Sequence, residues 1–403
     1  MSTKSLIFGD KVLLVIILLL SLFSFFPVFS SSSYLSYVVD GSSPIYYLVK
    51  HLIVLLFGII LMLSVKLVPF KLFKGMSIIL LPIGLALLSY TLSQGTMIGG
   101  SNASRWIDIP LIGIGFQTSS FAAIIIITYT ARYLSKVKLS ETKFSQTLLP
   151  LWLPIFAYIF LILPANFSSA FLIFSALFVV LIISGFPLRH LFKMFLILTF
   201  LLIIFFLTAK AFPEKLPNRI DTWISRVENF GSNKNSDASY QIERAKMAIN
   251  NGGVIGIGAG KSIMKNHLPQ SNSDFIFAII VEEYGIIGGS LIIVLYILMF
   301  FRILVITHRT DDRFGKILVS GLGIFIIMQA FTNISVATQI IPVTGQNLPL
   351  ISSGGSSAWM TCISLGMILS VSSSIKNMNS EKEYIYNFGR WNRWAYLSSI
   401  IYC

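Results

Sequence analysis

Three acidic residues lie close together in one otherwise apolar stretch of the chain. Asp274, Glu282 and Glu283 stand at the head of a segment that then stays uncharged and largely apolar until Arg302. A carboxylate can act as a general base or hold a metal ion, so an acid in such a segment is a candidate for catalysis. The alternative is a structural ion pair or hydrogen bond. We favour function for Asp274, and both interpretations stay open for Glu282 and Glu283.

The spacing of these acids argues against one shared site. If the segment is helical from Asp274, a rise of about 1.5 Å per residue places Glu282 about 12 Å deeper. The two carboxylates therefore cannot hold the same atom.

The composition identifies the surroundings of these acids as a membrane. The 403 residues are 55% hydrophobic and only 11% charged, with a mean hydropathy of +0.82, whereas a soluble domain has about 25% charged residues. We therefore predict an all-α integral membrane protein that forms a single polytopic domain, 1–403. The formal charge of +14 requires no nucleic acid as partner, because basic loops facing anionic lipid headgroups account for it.

Apolar runs of about 20 residues, long enough to cross a ~30 Å hydrocarbon core, predict about ten transmembrane helices. Nine is the alternative, because only the residues 164–168 separate the fifth run from the sixth. Lysines and arginines fall in alternate short loops, which the positive-inside rule makes cytoplasmic together with both termini. The ten runs begin near Lys11, Tyr46, Lys74, Leu111, Leu148, Ala170, Leu191, Asp274, Lys316 and Trp359.

One connection is much longer than the others. Residues 210–273, between spans seven and eight, form a large predicted extracytoplasmic loop, and a loop of that size is usually functional. Apolar residues at helical spacing predict an amphipathic helix over 217–231, lying either on the outer leaflet or on the tops of the spans. A second helix is predicted from Asp237 to Asn250, ended by Gly252 and Gly253.

A glycine-rich stretch in this loop, 253–262, has some likeness to a phosphate-binding P-loop. The P-loop pattern requires glycine where this chain has Ile255, and the stretch lies outside, where ATP is absent. We therefore predict no nucleotide site. Its glycines either let backbone N–H groups approach an anionic ligand, with Lys261 adding a charge, or form a flexible turn.

A second outer stretch, 344–357, is uncharged, rich in glycine and serine and broken by Pro349. Such a segment cannot be exposed to lipid within the membrane, so we expect it to lie in water or to line a cavity. Either its backbone and hydroxyl donors face the substrate, or its Gly354 and Gly355 simply let the last span pack closely.

Five stretches of the chain together resemble the SEDS family of RodA, FtsW and SpoVE. The resemblance covers nearly the whole chain in the family's order, and the opening residues and RWIDIP look more like the division member, FtsW, than RodA. The stretches are SNASRWIDIP (101–110), Gln117-Thr118-Ser119, YQIERAKMAINNGGVIGIGAGKSIMKNHLP (240–269), SDFIFAIIVEEYGIIGG (273–289) and QAFTNISVATQIIPVTGQNLPLISSGGSS (329–357).

The resemblance implies a peptidoglycan glycosyltransferase that polymerises lipid II, the lipid-linked disaccharide-pentapeptide, during cell division. It implies a class B penicillin-binding protein and other divisome proteins as partners, in the bacterial cytoplasmic membrane at the division septum. Two other functions stay open. The many spans and intramembrane acids also suit a lipid II flippase, and a weakly catalytic chain would serve as a scaffold for the penicillin-binding protein.

The family's catalytic aspartate aligns with Asp274, although Gln270, Asn272 and Ser273 replace the family's Glu, His and Thr. In this role Asp274 takes the proton of the attacking glycan hydroxyl or holds a metal that does so. The leaving group is a lipid diphosphate, whose charge calls for cations or a divalent ion such as Mg or Mn. The candidate substrate-binding residues are Arg105, Trp106, Gln117, Arg244, Lys261 and Ser356.

Two further positions depart from the family's pattern. Ser120 and Ala123 stand where the family usually has a glutamate and a lysine, so an intramembrane acid and base are lost together. Replacing both members of a buried pair with small neutral groups can be nearly neutral, so the double loss indicates compensation more than decay. Asn166 likewise stands where many relatives carry Asp.

Overall fold

The computed structural model describes residues 9–34, 43–94, 106–109, 114–138, 142–211, 237–268 and 271–375. Most of these residues are helical, as expected in lipid, where the backbone N–H and C=O groups must form their hydrogen bonds within the protein. The helices are α1 (Lys11–Tyr34), α2 (Pro44–Leu67), α3 (Phe70–Gln94), α4 (Thr118–Lys136), α5 (Phe144–Ile162), α6 (Phe167–Ile183), α7 (Leu188–Ala211), α8 (Asp237–Gly252), α9 (Ile276–Arg309), α10 (Arg313–Ala337) and α11 (Ser356–Ile375).

The helices confirm the all-α membrane architecture. A helix lies at each of the ten positions predicted for a span, and α8 is the second predicted helix of the large loop. In the described residues, α1, α2, α3, α5, α9, α10 and α11 are long and apolar enough to cross a membrane, and α6 is a shorter apolar helix. The number of spans stays a prediction. The amphipathic helix predicted over 217–231 lies outside the described residues.

The fourth span begins later than predicted, because a β-hairpin precedes it. Strands β1 (Trp106–Ile109) and β2 (Ile114–Gln117) pair antiparallel, with Trp106 opposite Gln117. Helix α4 therefore starts at Thr118 and not near Leu111. A short apolar run predicts burial, but by itself it does not distinguish a strand from the first turns of a helix.

Burial divides the helices into a centre and a lipid-facing periphery. Helices α10 and α11 are the most buried of the spans, and α10 packs against α4, α6 and α9. Helices α2 and α3 are the least buried, and large side chains such as Ile53, Ile60 and Ile79 lie exposed on them. These exposed apolar faces suit contact with lipid tails.

One ion pair joins two helices at the end of the bundle that is predicted to face the cytoplasm. Asp10, just before α1, accepts two hydrogen bonds from the Arg302 guanidinium on α9, at 2.7 Å from Nε and 2.6 Å from Nη2. Asp10 also accepts a bond from the backbone N–H of Leu13. The bidentate geometry fixes the start of α1 against α9.

Candidate active site

Asp274 lies in the turn 271–275, immediately before α9 begins at Ile276. It is half-buried, whereas the next residue, Phe275, is fully buried. Asp274 therefore lies just before the N-terminus of α9 and not within the helix. The predicted topology places this end of the bundle outside the cytoplasm, and we call it, with the turn, the hairpin and the start of α11, the outer end.

The backbone of this turn is held at three successive carbonyl groups. The N–H of Ser353 donates to the carbonyl oxygen of Asn272 at 2.9 Å, and the Ser352 hydroxyl donates to that of Ser273 at 2.7 Å. The side-chain amide of Asn333, on α10, donates to the carbonyl oxygen of Asp274 at 2.9 Å. The position of Asp274 is thus set by two segments far from it in sequence.

The outer stretch 344–357 packs as part of the protein. The Gln346 side chain is buried and donates to the Ser169 hydroxyl on α6 at 2.9 Å. The Tyr296 hydroxyl on α9 donates to the carbonyl oxygen of Pro349. Of the two interpretations for this stretch, packing accounts for Ser352, whose hydroxyl is occupied by backbone groups of the protein.

Three of the predicted substrate-binding residues meet at the hairpin. The buried Ser356 hydroxyl accepts a bond from the N–H of Gln117 at 2.9 Å and donates to the carbonyl oxygen of Gly115 at 2.8 Å. Trp106 lies opposite Gln117 in the strand register. Ser356 therefore ties the hairpin to the start of α11, and the roles of these residues toward substrate stay predictions.

The predicted cationic residues lie on a different segment. Arg244, on α8, is half-buried with its guanidinium 4.8 Å from the Tyr240 ring centroid, and its Nε finds no partner among the described residues. Lys261 is exposed in the glycine-rich loop. Arg105 lies outside the described residues.

The two deeper acids, Glu282 and Glu283, hold the glycine-rich loop. Both are buried in α9. The Glu282 carboxylate accepts bonds from the Ser262 hydroxyl and, at 3.3 Å, from the N–H groups of Ile263 and Met264. The Glu283 carboxylate accepts the N–H of Ser262 at 3.3 Å. These contacts support the structural interpretation for Glu282, because both of its carboxylate oxygens accept bonds from the loop. Glu283 also contacts the loop, but its Oε2 has no hydrogen-bond partner among the described residues, so both interpretations stay open for Glu283.

The loop also exchanges backbone hydrogen bonds with a break in α9 at Gly285, which has a φ of 68°. The N–H of Ile257 donates to the carbonyl oxygen of Glu282, and the N–H of Ile286 donates to that of Gly253, both at 3.0 Å. A Cβ at Gly285 would lie 2.2 Å from a loop carbonyl oxygen, so the approach requires glycine. The loop amides thus meet groups of their own protein, and non-helical backbone at this depth stays satisfied.

The departures from the family pattern find neutral partners in the structure. The Ser120 hydroxyl donates to the side-chain oxygen of Gln117 at 2.9 Å, and Ala123 is fully buried. The Asn166 side chain caps α6 by accepting the N–H of Ser169 at 3.2 Å, a role that asparagine and aspartate perform equally well.

Asn333 and Ser262 were not among the residues predicted from the sequence. Both lie in stretches that carry the family resemblance, but neither is charged, so no pattern of acids or bases marks them. A signal exists for Asn333: an asparagine within a membrane helix is expected to hydrogen-bond to another segment.

The metal prediction rests on Asp274 alone. In the part of the chain that the structure describes, no three His, Cys, Asp or Glu side chains group as a metal site. The described residues therefore do not form a complete ligand set. Mg²⁺ is commonly bound by one or two carboxylates together with water and substrate phosphates, so Asp274 as a metal ligand stays a prediction.

Comparison with known proteins gives consistent matches over most of the chain. A "Probable peptidoglycan glycosyltransferase FtsW" of Halomonas elongata is 30% identical over 372 residues, which cover 90% of each chain. The protein of the same name from Hydrogenovibrio crunogenus is 31% identical over 333 residues, 81% of this chain and 82% of the relative.

Two solved structures share the fold. A chain of a peptidoglycan synthase complex that coordinates polymerization and crosslinking matches with a TM-score of 0.71 and 22% identity, over 91% of this chain and 98% of that one. The rod shape determining protein RodA of Thermus thermophilus matches with a TM-score of 0.64 and 20% identity, over 90% and 96%. The model of the cell cycle protein family matches residues 10–377, and the chain therefore belongs to the SEDS family of FtsW, RodA and SpoVE.

Proposed function

We propose that this membrane protein is a peptidoglycan glycosyltransferase that polymerises lipid II, with Asp274 as its general base. The observation that carries the proposal is the placement of Asp274: a half-buried carboxylate at the outer end, on a turn whose carbonyl groups at 272–274 are all hydrogen-bonded. A general base needs such fixed geometry, because proton transfer requires an approach of about 3 Å. The names of the FtsW relatives support the same activity.

The proposed reaction joins two lipid-linked glycans. A hydroxyl of one sugar gives its proton to the Asp274 carboxylate as its oxygen bonds to the anomeric carbon of the other. The bond from that carbon to the lipid diphosphate breaks, and the diphosphate leaves with the electron pair. Arg105, Arg244 and Lys261 lie in segments predicted on the same side, where positive charge would stabilise the leaving group. A divalent ion, when bound, would supply the same stabilisation.

The setting of the reaction follows from the family and the predicted topology. We propose that the chain lies in the bacterial cytoplasmic membrane with both termini inside, and works at the division septum with a class B penicillin-binding protein and other divisome proteins. The solved relative from a peptidoglycan synthase complex supports such a partnership. A membrane-impermeant maleimide should label Ser236→Cys from outside, in a background without Cys362 and Cys403. Labelling from inside only would overturn this topology.

The activity is tested with purified protein, its penicillin-binding partner and labelled lipid II in detergent. Wild-type protein should build long glycan strands, and Asp274→Asn should build none, because the change keeps size and removes the base. Asp311→Asn is the matched control, since Asp311 is exposed in the loop between α9 and α10, and it should keep full activity. Full activity of Asp274→Asn would refute the assignment.

The same purified protein, in detergent and after reconstitution into lipid vesicles, separates the other two functions. A flippase would move lipid II across vesicles and build no strands, and a scaffold would bind the penicillin-binding protein without polymerising. We prefer the polymerase, because the Asp274 turn and the basic loop belong to the predicted outer side, where lipid II that has already been flipped is met.

A further inference from the structure

Asn333 is a fully buried side chain that contacts the turn bearing Asp274. This residue of α10 is 0% exposed. Its side-chain nitrogen donates to the carbonyl oxygen of Asp274 at 2.9 Å and to that of Gln346 at 2.7 Å. One amide group therefore joins three segments: the helix α10, the Asp274 turn and the stretch 344–357.

The orientation of this amide is set by its surroundings. Both contacts are carbonyl oxygens, which only accept hydrogen bonds, so the nitrogen of Asn333 must face them. The side-chain oxygen is buried and finds no hydrogen-bond partner in the part of the chain described. The residue thus acts here through its two donors.

The contact is one of three on consecutive peptide groups. Ser353 and Ser352 hold the carbonyl oxygens of Asn272 and Ser273. A rotation of the turn that moved the Asp274 side chain would break these bonds and leave partly buried carbonyl groups without their donors, which is unfavourable. Three such bonds restrict the turn far more than one.

We propose that Asn333 is a positioning residue for the reaction, which holds the Asp274 carboxylate at the attacking hydroxyl by fixing the peptide carbonyl of Asp274. This inference rests on the proposed polymerase function. Asn333 does not touch the reacting atoms, and it acts through Asp274. Its loss should therefore lower kcat more than it raises KM, because lipid II still binds but the base is displaced.

The test compares Asn333→Ala with Ser320→Ala. Ser320 lies on the same helix, is buried like Asn333, and is about 20 Å away by helical rise; its hydroxyl donates to the carbonyl oxygen of Lys316. Measured per folded molecule, Asn333→Ala should lower kcat about 10- to 100-fold, the loss expected from a displacement of about 1 Å. KM for lipid II should stay within about two-fold, and Ser320→Ala should keep the wild-type kcat.

A second variant covers the case in which Asn333→Ala does not fold. Ser352→Ala removes the bond to the carbonyl of Ser273, together with the acceptor of the Leu348 N–H, and creates little space. It should also lower kcat, by about 3- to 10-fold. The proposal is overturned if Asn333→Ala folds and keeps the wild-type kcat. If only Ser352→Ala folds, a wild-type kcat in that variant overturns it.

A structural measurement separates this proposal from the proposed function. Hydrogen exchange of the amides in 271–278 should be faster in Asn333→Ala than in Ser320→Ala. If wild-type protein builds no glycan, the proposed function fails, and exchange still tests the hold on the turn. Unchanged exchange over 271–278 would overturn the positioning role whatever the activity.

Discussion

Replacing Glu282 with alanine should release the glycine-rich loop from α9. In the structure this one carboxylate accepts bonds from the Ser262 hydroxyl and the N–H groups of Ile263 and Met264. The Asn251 side chain contributes a longer contact of 3.4 Å. Alanine removes every acceptor at once and leaves the donors in place.

The magnitude follows from the donors left without a partner. A buried donor without an acceptor costs about 1–3 kcal/mol. Ile263 is largely exposed, so water can satisfy its N–H, and two donors remain, on Ser262 and Met264. We therefore expect Glu282→Ala to weaken the attachment of the loop by about 2–6 kcal/mol. Glu282→Gln keeps one acceptor oxygen and should cost less than the alanine variant.

Hydrogen exchange of the loop measures this loss directly. At about 1.4 kcal/mol per factor of ten, amides in 256–264 should exchange at least ~30-fold faster in Glu282→Ala, as local opening becomes easier. Glu243→Ala is the matched control, because Glu243 is an exposed acid on α8 in the same loop. Its exchange should match the wild type.

Two results would refute the reasoning. Equal exchange in Glu282→Ala and Glu243→Ala would mean that the carboxylate does not hold the loop. Faster exchange in α10 to the same extent as in the loop would mean that Glu282 supports the whole bundle and has no local role.

Three further predictions concern single positions. Gly285→Ala should destabilise the protein by about 3 kcal/mol or more, through backbone strain and steric collision. Gly75→Ala is the control, because the Cβ position of Gly75 has open space around it, and it should be neutral or slightly stabilising. Equal melting temperatures of the two variants would contradict the contact at the helix break. Ser120→Glu alone should make membrane insertion less favourable by about 2.5–3.5 kcal/mol on insertion scales. Adding Ala123→Lys should restore part of the membrane expression. No gain in expression would show that packing around the buried Ala123 excludes a lysine. Arg105→Lys should keep part of the polymerase activity and Arg105→Ala should lose it, while an equal loss of stability in both would indicate a structural ion pair.

The sequence by itself determined the class of protein and its family. Transfer of an apolar segment into lipid depends on the composition of that segment alone, so hydropathy located a helix at each of ten positions. Helix signals are also local, and Gly252 and Gly253 correctly marked the end of α8. The motifs that carry the resemblance identified the SEDS family, which the comparisons confirm.

The tertiary structure decided which polar groups meet. Hydropathy could not show that the residues before Thr118 pair as a hairpin, because pairing depends on a second strand and on register. Nor could it assign Glu282, since an acid in a span is equally unusual whether it binds substrate or holds a loop. Asn333 meets the carbonyl of Asp274 across 59 positions of sequence. A hydrogen bond requires atoms about 3 Å apart, and only the packing of α9, α10 and the outer stretches brings these atoms to that distance.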